Sequence, residues 1–333
     1  MVKVAINGLG RIGRSVLKIA LDKKVDIVAV NDLTSPENLA YLLKYDSVYG
    51  VWDKKVESGN GFLLIEGKKI KVFAEKDPSS LPWKSLKIDV VIESTGLFTS
   101  REGSEKHLKA GAKHVLISAP CKNDIFTVVP GVNNNLLKKQ DIISVASCTT
   151  NCLAPVVKIL HDSFGIEKGF MTTIHAYTAD QRLQDSPHND LRRGRAAAEN
   201  LVPTSTGAII AVTQVIPSLK GKLNGIAIRA PVVCGSITDF VALLSKKVSA
   251  EDINNAVRKA ANGNMKGIVQ YSDDPLVSRD IIGNSHSSIF DSLSTLIIDE
   301  NSGKGNMIKV IAWYDNEYGY SNRMIDVVKM LRL

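Results

Sequence analysis

Cys148 and Cys152 stand four residues apart in SVASCTTNCLAPVVKIL, residues 144–160, where a short apolar run gives way to a helical pattern. Such a pair can serve a metal site, a disulfide, ordinary packing or a reactive thiolate. Zinc takes about four ligands, and no second Cys/His cluster of suitable spacing occurs in the sequence. Four cysteines in 333 residues are too few for a disulfide scaffold. The two thiols then separate by position. Cys148 opens the helical pattern beside the capping-type side chains of Thr149, Thr150 and Asn151. Unpaired N–H groups and the helix dipole stabilise a thiolate there, so a low-pKa, oxidation-prone thiol is expected. Cys152 lies one turn further on, on the face of Val156 and Ile159, and reads as a small buried hydrophobe. A thiolate nucleophile works with a base. His175, in TTIHAYTADQ, sits mid-strand among Ile174, Ala176 and Tyr177; it is either a satisfied core histidine or the activator of Cys148. The other histidines lie in polar or helical settings.

A second constellation is GLGRIG, that is Gly8, Gly10 and Gly13, which follows a strand pattern and opens a helix pattern. Gly8 permits a tight turn, Gly10 lets the backbone approach a pyrophosphate, and Gly13 allows close helix–strand packing. The helix N-terminus favours phosphate. Asp32, ending the next strand, would accept hydrogen bonds from ribose hydroxyls and repel a 2′-phosphate, which points to NAD rather than NADP.

The elements that position these residues read as follows. VKVAIN (2–7), DIVAVN (26–31), IDVVIES (88–94), KHVLIS (113–118) and DIISVA (141–146) are buried-strand patterns. Helix patterns at 11–21 and 36–43 alternate with them, and FLLIEGKKIKVFA (62–74) reads as a hairpin turning at EGKK. This alternation predicts a doubly wound (Rossmann) parallel sheet. After Cys148, longer strand patterns at 169–178, 223–233 and 236–245 follow more closely, which predicts a C-terminal α+β domain of mostly antiparallel sheet. Residues 317–331 form an amphipathic helix with Met324, Val327, Val328 and Leu331 on one face. We therefore expect a dinucleotide-binding domain, 1–147, a catalytic domain, 148–316, and a C-terminal helix, 317–333, packing back on the first. Residues 180–205 lack periodicity, and a loop that long in a compact protein is usually functional or interfacial.

Composition narrows the class. Apolar residues make up 44% and charged residues 23%, as in soluble globular proteins. No apolar run is long enough to span a membrane and no signal-peptide pattern precedes VKVAI, so a cytoplasmic protein without membrane partners is expected. The net charge is +8 and the pI about 9.1. The lysines are scattered, with no dense basic run interleaved with aromatics, so nucleic-acid binding is at most secondary. Positive charge also suits phosphorylated metabolites.

INGLGRIGR, SCTTNC, TTIHAYTADQ, DLRRGRAAAENLVPTSTGA and WYDNEYGYSNR occur in this order, and together they resemble the phosphorylating glyceraldehyde-3-phosphate dehydrogenases over essentially the whole chain. The resemblance implies NAD-dependent, reversible oxidative phosphorylation of D-glyceraldehyde 3-phosphate by inorganic phosphate to 1,3-bisphosphoglycerate. Cys148 would form a hemithioacetal and then a thioacyl intermediate, with His175 as base. It assigns Thr178 and Arg229, with Asp180 close by, to the substrate phosphate. Ser147, Thr149, Thr206 and Gly207 are assigned to inorganic phosphate. It extends the cofactor set to Asn7, Arg11, Ile12, Leu33, Lys76, Thr95, Gly96 and Ser118, with Asn316 orienting the nicotinamide carboxamide beside Tyr320. It implies a homotetramer in which 180–205 packs at a subunit interface, with Arg192, Arg193 and Arg195 making interface ion pairs.

The sequence also departs from its relatives. Ser186 stands before Pro187 where a leucine is usual in NAD-using members, so secondary NADP use is expected beside the preference set by Asp32 and Leu33. Lys76 replaces a common arginine, while Cys121 and Pro130 have no functional account. The nearest rival is an erythrose-4-phosphate dehydrogenase using the same Cys148–His175 chemistry; the YT of HAYTADQ, Tyr177–Thr178, argues against it. A semialdehyde dehydrogenase would lack WYDNEYGYSNR. A binding protein using the positive charge is a rival of another class.

Overall fold

The computed structural model describes residues 2–121, 125–138, 140–299 and 302–331. The chain divides into two compact units. The first comprises 1–128, 135–147 and 321–333; the second comprises 129–134 and 148–320.

The first unit is built on a nine-stranded sheet. Its strand order is Phe126–Thr127, Ile142–Ser144, His114–Ile117, Val90–Glu93, Lys3–Asn7, Asp26–Asn31, Lys68–Phe73, Phe62–Ile65, Val56–Gly59. Pairing is parallel from the first of these through Lys68–Phe73, as the alternating pattern predicts. The expected hairpin pairs Ile65 with Lys68 across a two-residue turn, Glu66–Gly67. Both turn residues have positive φ, 47° and 79°, which matches the right-handed twist of the flanking strands. Lys3–Asn7 is flanked by Asp26–Asn31 on one side and Val90–Glu93 on the other, with Asn7 opposite both Asn31 and Glu93. The chain order reverses at this strand, so a crevice opens beyond its C-terminal end. Helix Arg11–Asp22 covers the sheet with Val16, Leu17, Ile19 and Ala20. The C-terminal portion of this unit carries Met324, Val327, Val328 and Leu331 buried, and Asp326 pairs with Lys23 at 2.9 Å.

The second unit is a seven-stranded, mostly antiparallel sheet. Its order is Val202–Thr204, Leu223–Ala230, Ile166–Ala176, Ser236–Val248, Gly305–Tyr314, Ser288–Ile298, Val269–Ser272. Alternation along Ser236–Val248 sends Ser236, Thr238, Phe240, Ala242 and Leu244 to one buried face. Helix Cys148–Phe164 packs against that face. Four of these strands, Val202–Thr204, Val269–Ser272, Ser288–Ile298 and Gly305–Tyr314, and the helix Ala250–Asn262 are not evident from the sequence patterns. That helix begins at a capping box, in which Ser249 and Asp252 satisfy each other's backbone N–H groups.

Gly13 shows why the glycine loop and the first helix can pack so closely. A Cβ there would lie 2.0 Å from the Gly8 carbonyl oxygen. Gly13→Ala is therefore expected to force the helix off the sheet and destabilise the fold by about 1–3 kcal/mol, read as a lowered midpoint in denaturant unfolding with unchanged slope.

Candidate active site

In the first unit, Asn7, Gly8, Gly10, Asn31, Asp32, Leu33, Glu75, Lys76, Ser94, Thr95, Leu97 and Phe98 line a groove of about 320 Å³. Helix Arg11–Asp22 starts here with no side-chain cap and no acidic residue in its first turn. The dipole of this helix favours an anion at its start, and no atom of the described residues lies within 4 Å of where a Cβ on Gly10 would stand, so a ligand can approach the backbone there. Asp32 does more than face the groove. One carboxylate oxygen accepts from Leu9 N–H at 2.7 Å and the other from Thr34 N–H at 3.1 Å, which ties the glycine loop to the second strand. Each oxygen keeps a lone-pair direction for a ribose hydroxyl. These donors and acceptors fit a dinucleotide. Of the expected set, Arg11 instead pairs with Asp46 at 2.8 Å, and Ser118 N–H bonds Glu93 O. Arg11, Ile12, Gly13, Gly96 and Ser118 do not line this groove.

Beneath the groove lies a buried polar network that sequence reasoning missed. Glu93 is 1% exposed and His107 fully buried. Trp83 Nε1–H donates to His107 Nδ1 at 3.1 Å, so His107 Nε2 carries the proton and donates to Glu93 Oε2, also at 3.1 Å. Asn7 Nδ2 donates to the same oxygen at 2.6 Å. Glu93 Oε1 accepts from the Thr95 N–H at 2.8 Å and from its hydroxyl. Asn31 donates to Asn7 Oδ1 at 2.7 Å. The groove residues Asn7, Asn31 and Thr95 are thereby fixed from below. An acidic residue closing the apolar run VVIE was the available signal.

In the second unit, helix Cys148–Phe164 starts at Cys148, as expected. The preceding Ala146 is held at φ +57°, a strained conformation for a residue with a Cβ, at the strand-to-helix turn. Cys148 Sγ lies 3.3 Å from His175 Nε2. His175 Nδ1 is 2.6 Å from Ala176 O and 2.7 Å from Arg229 Nη1, and Arg229 Nη1 is 3.1 Å from Ala176 O. Nδ1 cannot donate and accept at once. When it donates to Ala176 O, the arginine still has that carbonyl as acceptor, and Nε2 is left with a lone pair facing the thiol. This is the tautomer a base requires. Strand pairing explains the arrangement, because His175 and Arg229 are direct neighbours in parallel strands. Tyr314 holds the imidazole edge-on, 5.9 Å between centroids. Its hydroxyl bridges Thr149 Oγ1 at 2.9 Å and Thr173 Oγ1 at 2.8 Å.

Burial, with the Arg229 charge acting in the same sense, lowers His175 to about 3 and keeps it neutral. Burial also pushes the Cys148 thiol up, against the opposing effects of the Arg229 charge and hydrogen bonds at Thr149. The expected low thiol pKa is therefore not met: desolvation outweighs the helix N-terminus. Cys152 is fully buried, with its sulfur 3.6 Å from Thr238 Oγ1 and 3.7 Å from Ser288 Oγ, and burial pushes it up to about 12. It is the packing cysteine. No disulfide joins the four cysteines, and no metal-binding cluster occurs among the described residues.

The anion-site residues are placed less uniformly. Arg229 reaches the Cys148–His175 pair directly, and Thr149 is held by Tyr314. Thr178 follows the end of strand Ile166–Ala176, and Thr206 and Gly207 precede helix Ala208–Val215, where Thr206 Oγ1 accepts from Ala208 N–H at 3.2 Å. Ser147 immediately precedes the Cys148 helix. Asp180 is bound by Arg193 Nη1 at 2.7 Å, and Arg195 pairs with Asp185 at 2.7 Å. These two arginines, expected to pair across an interface, are paired within their own loop. Asn316 is buried with its side chain fixed, while Tyr320, 4% exposed, sits in helix Tyr318–Met330.

Residues 2–101 match the family model described as glyceraldehyde 3-phosphate dehydrogenase, NAD binding domain, and residues 147–316 match its C-terminal domain. The chain belongs to the glyceraldehyde-3-phosphate dehydrogenase family. It is 55% identical to the enzyme of that name from Geobacillus stearothermophilus, over 98% of this chain and 97% of the relative. It is 54% identical to those from Borreliella burgdorferi and Thermotoga maritima, over 99% of both chains in each case. Like its relatives it is an oxidoreductase that uses NAD. Every groove residue falls within the NAD-binding match, and Cys148, His175 and Arg229 fall within the C-terminal match.

Two outcomes are expected. Gly10→Ala keeps the unfolding midpoint, since the new methyl meets nothing, but weakens NAD binding at least tenfold by calorimetry. Arg229→Gln removes a charge that lowers both groups, so the pH profile of Cys148 alkylation by iodoacetamide shifts to higher pH, as does the His175 titration followed by NMR.

Proposed function

We propose that the chain oxidises D-glyceraldehyde 3-phosphate with NAD and inorganic phosphate to 1,3-bisphosphoglycerate, reversibly, with Cys148 as nucleophile and His175 as base. The 3.3 Å contact between Cys148 Sγ and His175 Nε2 carries this reading. His175 takes the thiol proton as sulfur attacks the aldehyde carbon. The C=O double bond opens, the C–S bond of a hemithioacetal forms, and His175 returns the proton to the resulting alkoxide oxygen, which leaves the ring free to act again. His175 then removes the hemithioacetal hydroxyl proton as hydride leaves the same carbon, giving a thioester on Cys148. NAD, when bound, supplies the hydride acceptor. A phosphate oxygen attacks the thioester carbon, the C–S bond breaks, and the sulfur departs as the acyl phosphate is released. The backbone N–H of Cys148 and the His175 ring are the donors nearest the developing oxyanion.

Arg229 is suited to the substrate phosphate. It is a forked cation beside the pair, and its Nε has no hydrogen-bond partner among the described residues. Thr178 complements it, while Ser147, Thr149, Thr206 and Gly207 would receive the attacking phosphate. Asn316 would orient the nicotinamide carboxamide. Asp32 and Leu33 set the preference for NAD, and Ser186 admits secondary NADP use.

The assembly we infer is a homotetramer. The face of the seven-stranded sheet opposite helix Cys148–Phe164 carries Phe170, 67% exposed, with Ile226 and Met307, a concentration of apolar surface that suits a subunit contact. A cytoplasmic location fits four cysteines that no disulfide joins, and no helix among the described residues is long and apolar enough to cross a membrane.

The direct test is NADH production from glyceraldehyde 3-phosphate with and without inorganic phosphate, with erythrose 4-phosphate in parallel. Turnover is expected to require phosphate, to vanish in Cys148→Ser, and to fall by about 10²–10⁴ in His175→Asn. Turnover with erythrose 4-phosphate alone would discard the substrate and keep the Cys–His chemistry.

A further inference from the structure

The Asn316 side chain is held by one end. Its Oδ1 lies 3.1 Å from Gly235 N and 2.9 Å from Ser236 Oγ, with Cys234 Sγ at 3.7 Å. A backbone N–H can only donate, so the atom facing Gly235 is the carbonyl oxygen and not the amide nitrogen. Both Nδ2 hydrogens are therefore turned away from these partners. Gly235 can aim its N–H in this way because it adopts φ +92°, and a Cβ there would stand 2.4 Å from Ser278 O.

Ser236 is the residue whose hydroxyl has been given a direction. Its Oγ accepts from Ala176 N–H at 3.1 Å, so its own hydrogen is left to point at Asn316 Oδ1. Ser236 is 1% exposed and Ala176 fully buried, which leaves no water to compete. Ala176 is also the residue whose carbonyl receives His175 Nδ1. One short chain of hydrogen bonds thus runs from the strand that carries the base, through Ser236, to the side chain assigned to the carboxamide. Asn316 is fixed from its other side as well. The neighbouring Asp315 accepts from Glu317 N–H at 2.9 Å and Tyr318 N–H at 2.8 Å through Oδ1, and from Gly283 N–H at 2.8 Å through Oδ2.

We propose that Ser236 is a positioning residue for the nicotinamide: by orienting the Asn316 amide it presents a donor pair to the carboxamide oxygen and holds that donor in register with the base strand. The proposal rests on Asn316 binding the carboxamide. Ser236 acts through Asn316 and touches neither substrate nor cofactor.

The test compares binding of NAD with binding of ADP-ribose, which lacks the nicotinamide, by calorimetry on the intact protein. Ser236→Ala should weaken NAD about five- to tenfold, the loss of one directed hydrogen bond, and leave ADP-ribose unchanged. The isosteric pair Ser236→Thr and Ser236→Val repeats the test should the alanine variant fold poorly; the threonine variant should retain NAD affinity and the valine variant lose it. Equal losses for both ligands would mean a merely structural serine and overturn the proposal. So would an unchanged Ser236→Ala, provided Asn316→Ala loses NAD affinity selectively. If Asn316→Ala also fails to separate NAD from ADP-ribose, the assignment of Asn316 falls and the proposal with it.

Discussion

The contact between the Cys148 sulfur and the His175 Nε2 depends on two elements that have no sequence proximity, a helix that begins at residue 148 and a strand that ends at residue 176. Sulfur and imidazole meet only because the helix lies on the sheet with its first residue at the strand end. The ring is then held at three points: Nδ1 at the Ala176 carbonyl, its plane in a T-shaped contact with Tyr314, and Nε2 at the thiol. A neutral imidazole buried in this way is a poor ion partner, and burial makes it a weak base that acts through the position of its Nε2 beside the thiol. Arg229 supplies the local positive charge, so the base need not be cationic to favour sulfur anion. The division of labour is physical. One residue carries charge and another moves the proton.

Much of this was legible because its signals are local. The strand–GLGRIG–helix order locates the cofactor groove, and the shift of pattern after Cys148 locates the change from parallel to antiparallel sheet. The different fates of Cys148 and Cys152 follow from one turn of helix. What was not legible depends on contacts across the fold. Tyr314 reads as one more aromatic of WYDNEYGYSNR until its hydroxyl is seen between two threonines. Glu93 and His107 sit 14 positions apart and are united only when helix Arg101–Lys109 packs on the interior of the sheet. The thiol was expected to be acidic because a sequence reveals a helix N-terminus but not how much solvent reaches it; burial decides the sign. Ala250–Asn262 was missed although its SAED cap was readable, since a cap without a recognised periodic face carries little weight.

The groove of the first unit illustrates how a buried charge is accommodated. Glu93 accepts from Asn7, His107 and two donors of Thr95, so its lone pairs are fully used and its desolvation is offset. Trp83 fixes the tautomer that lets His107 donate. A network of this kind over-determines the orientation of Asn7 and Thr95, and a ligand in the groove meets side chains that need no reorganisation.

The loop of residues 180–205 has a consequence for assembly kinetics. Arg193 is bound to Asp180 and also donates to Thr204, Thr204 donates to Asp190, and Arg195 is bound to Asp185. In the proposed homotetramer such a segment would reach its partner already folded, so little chain entropy would remain to be lost at the moment of docking. Encounter then resembles the meeting of two rigid surfaces, with rates set by orientation and charge rather than by a slow ordering step. A subunit released from that assembly would keep its loop pairs, ready to reassociate without refolding.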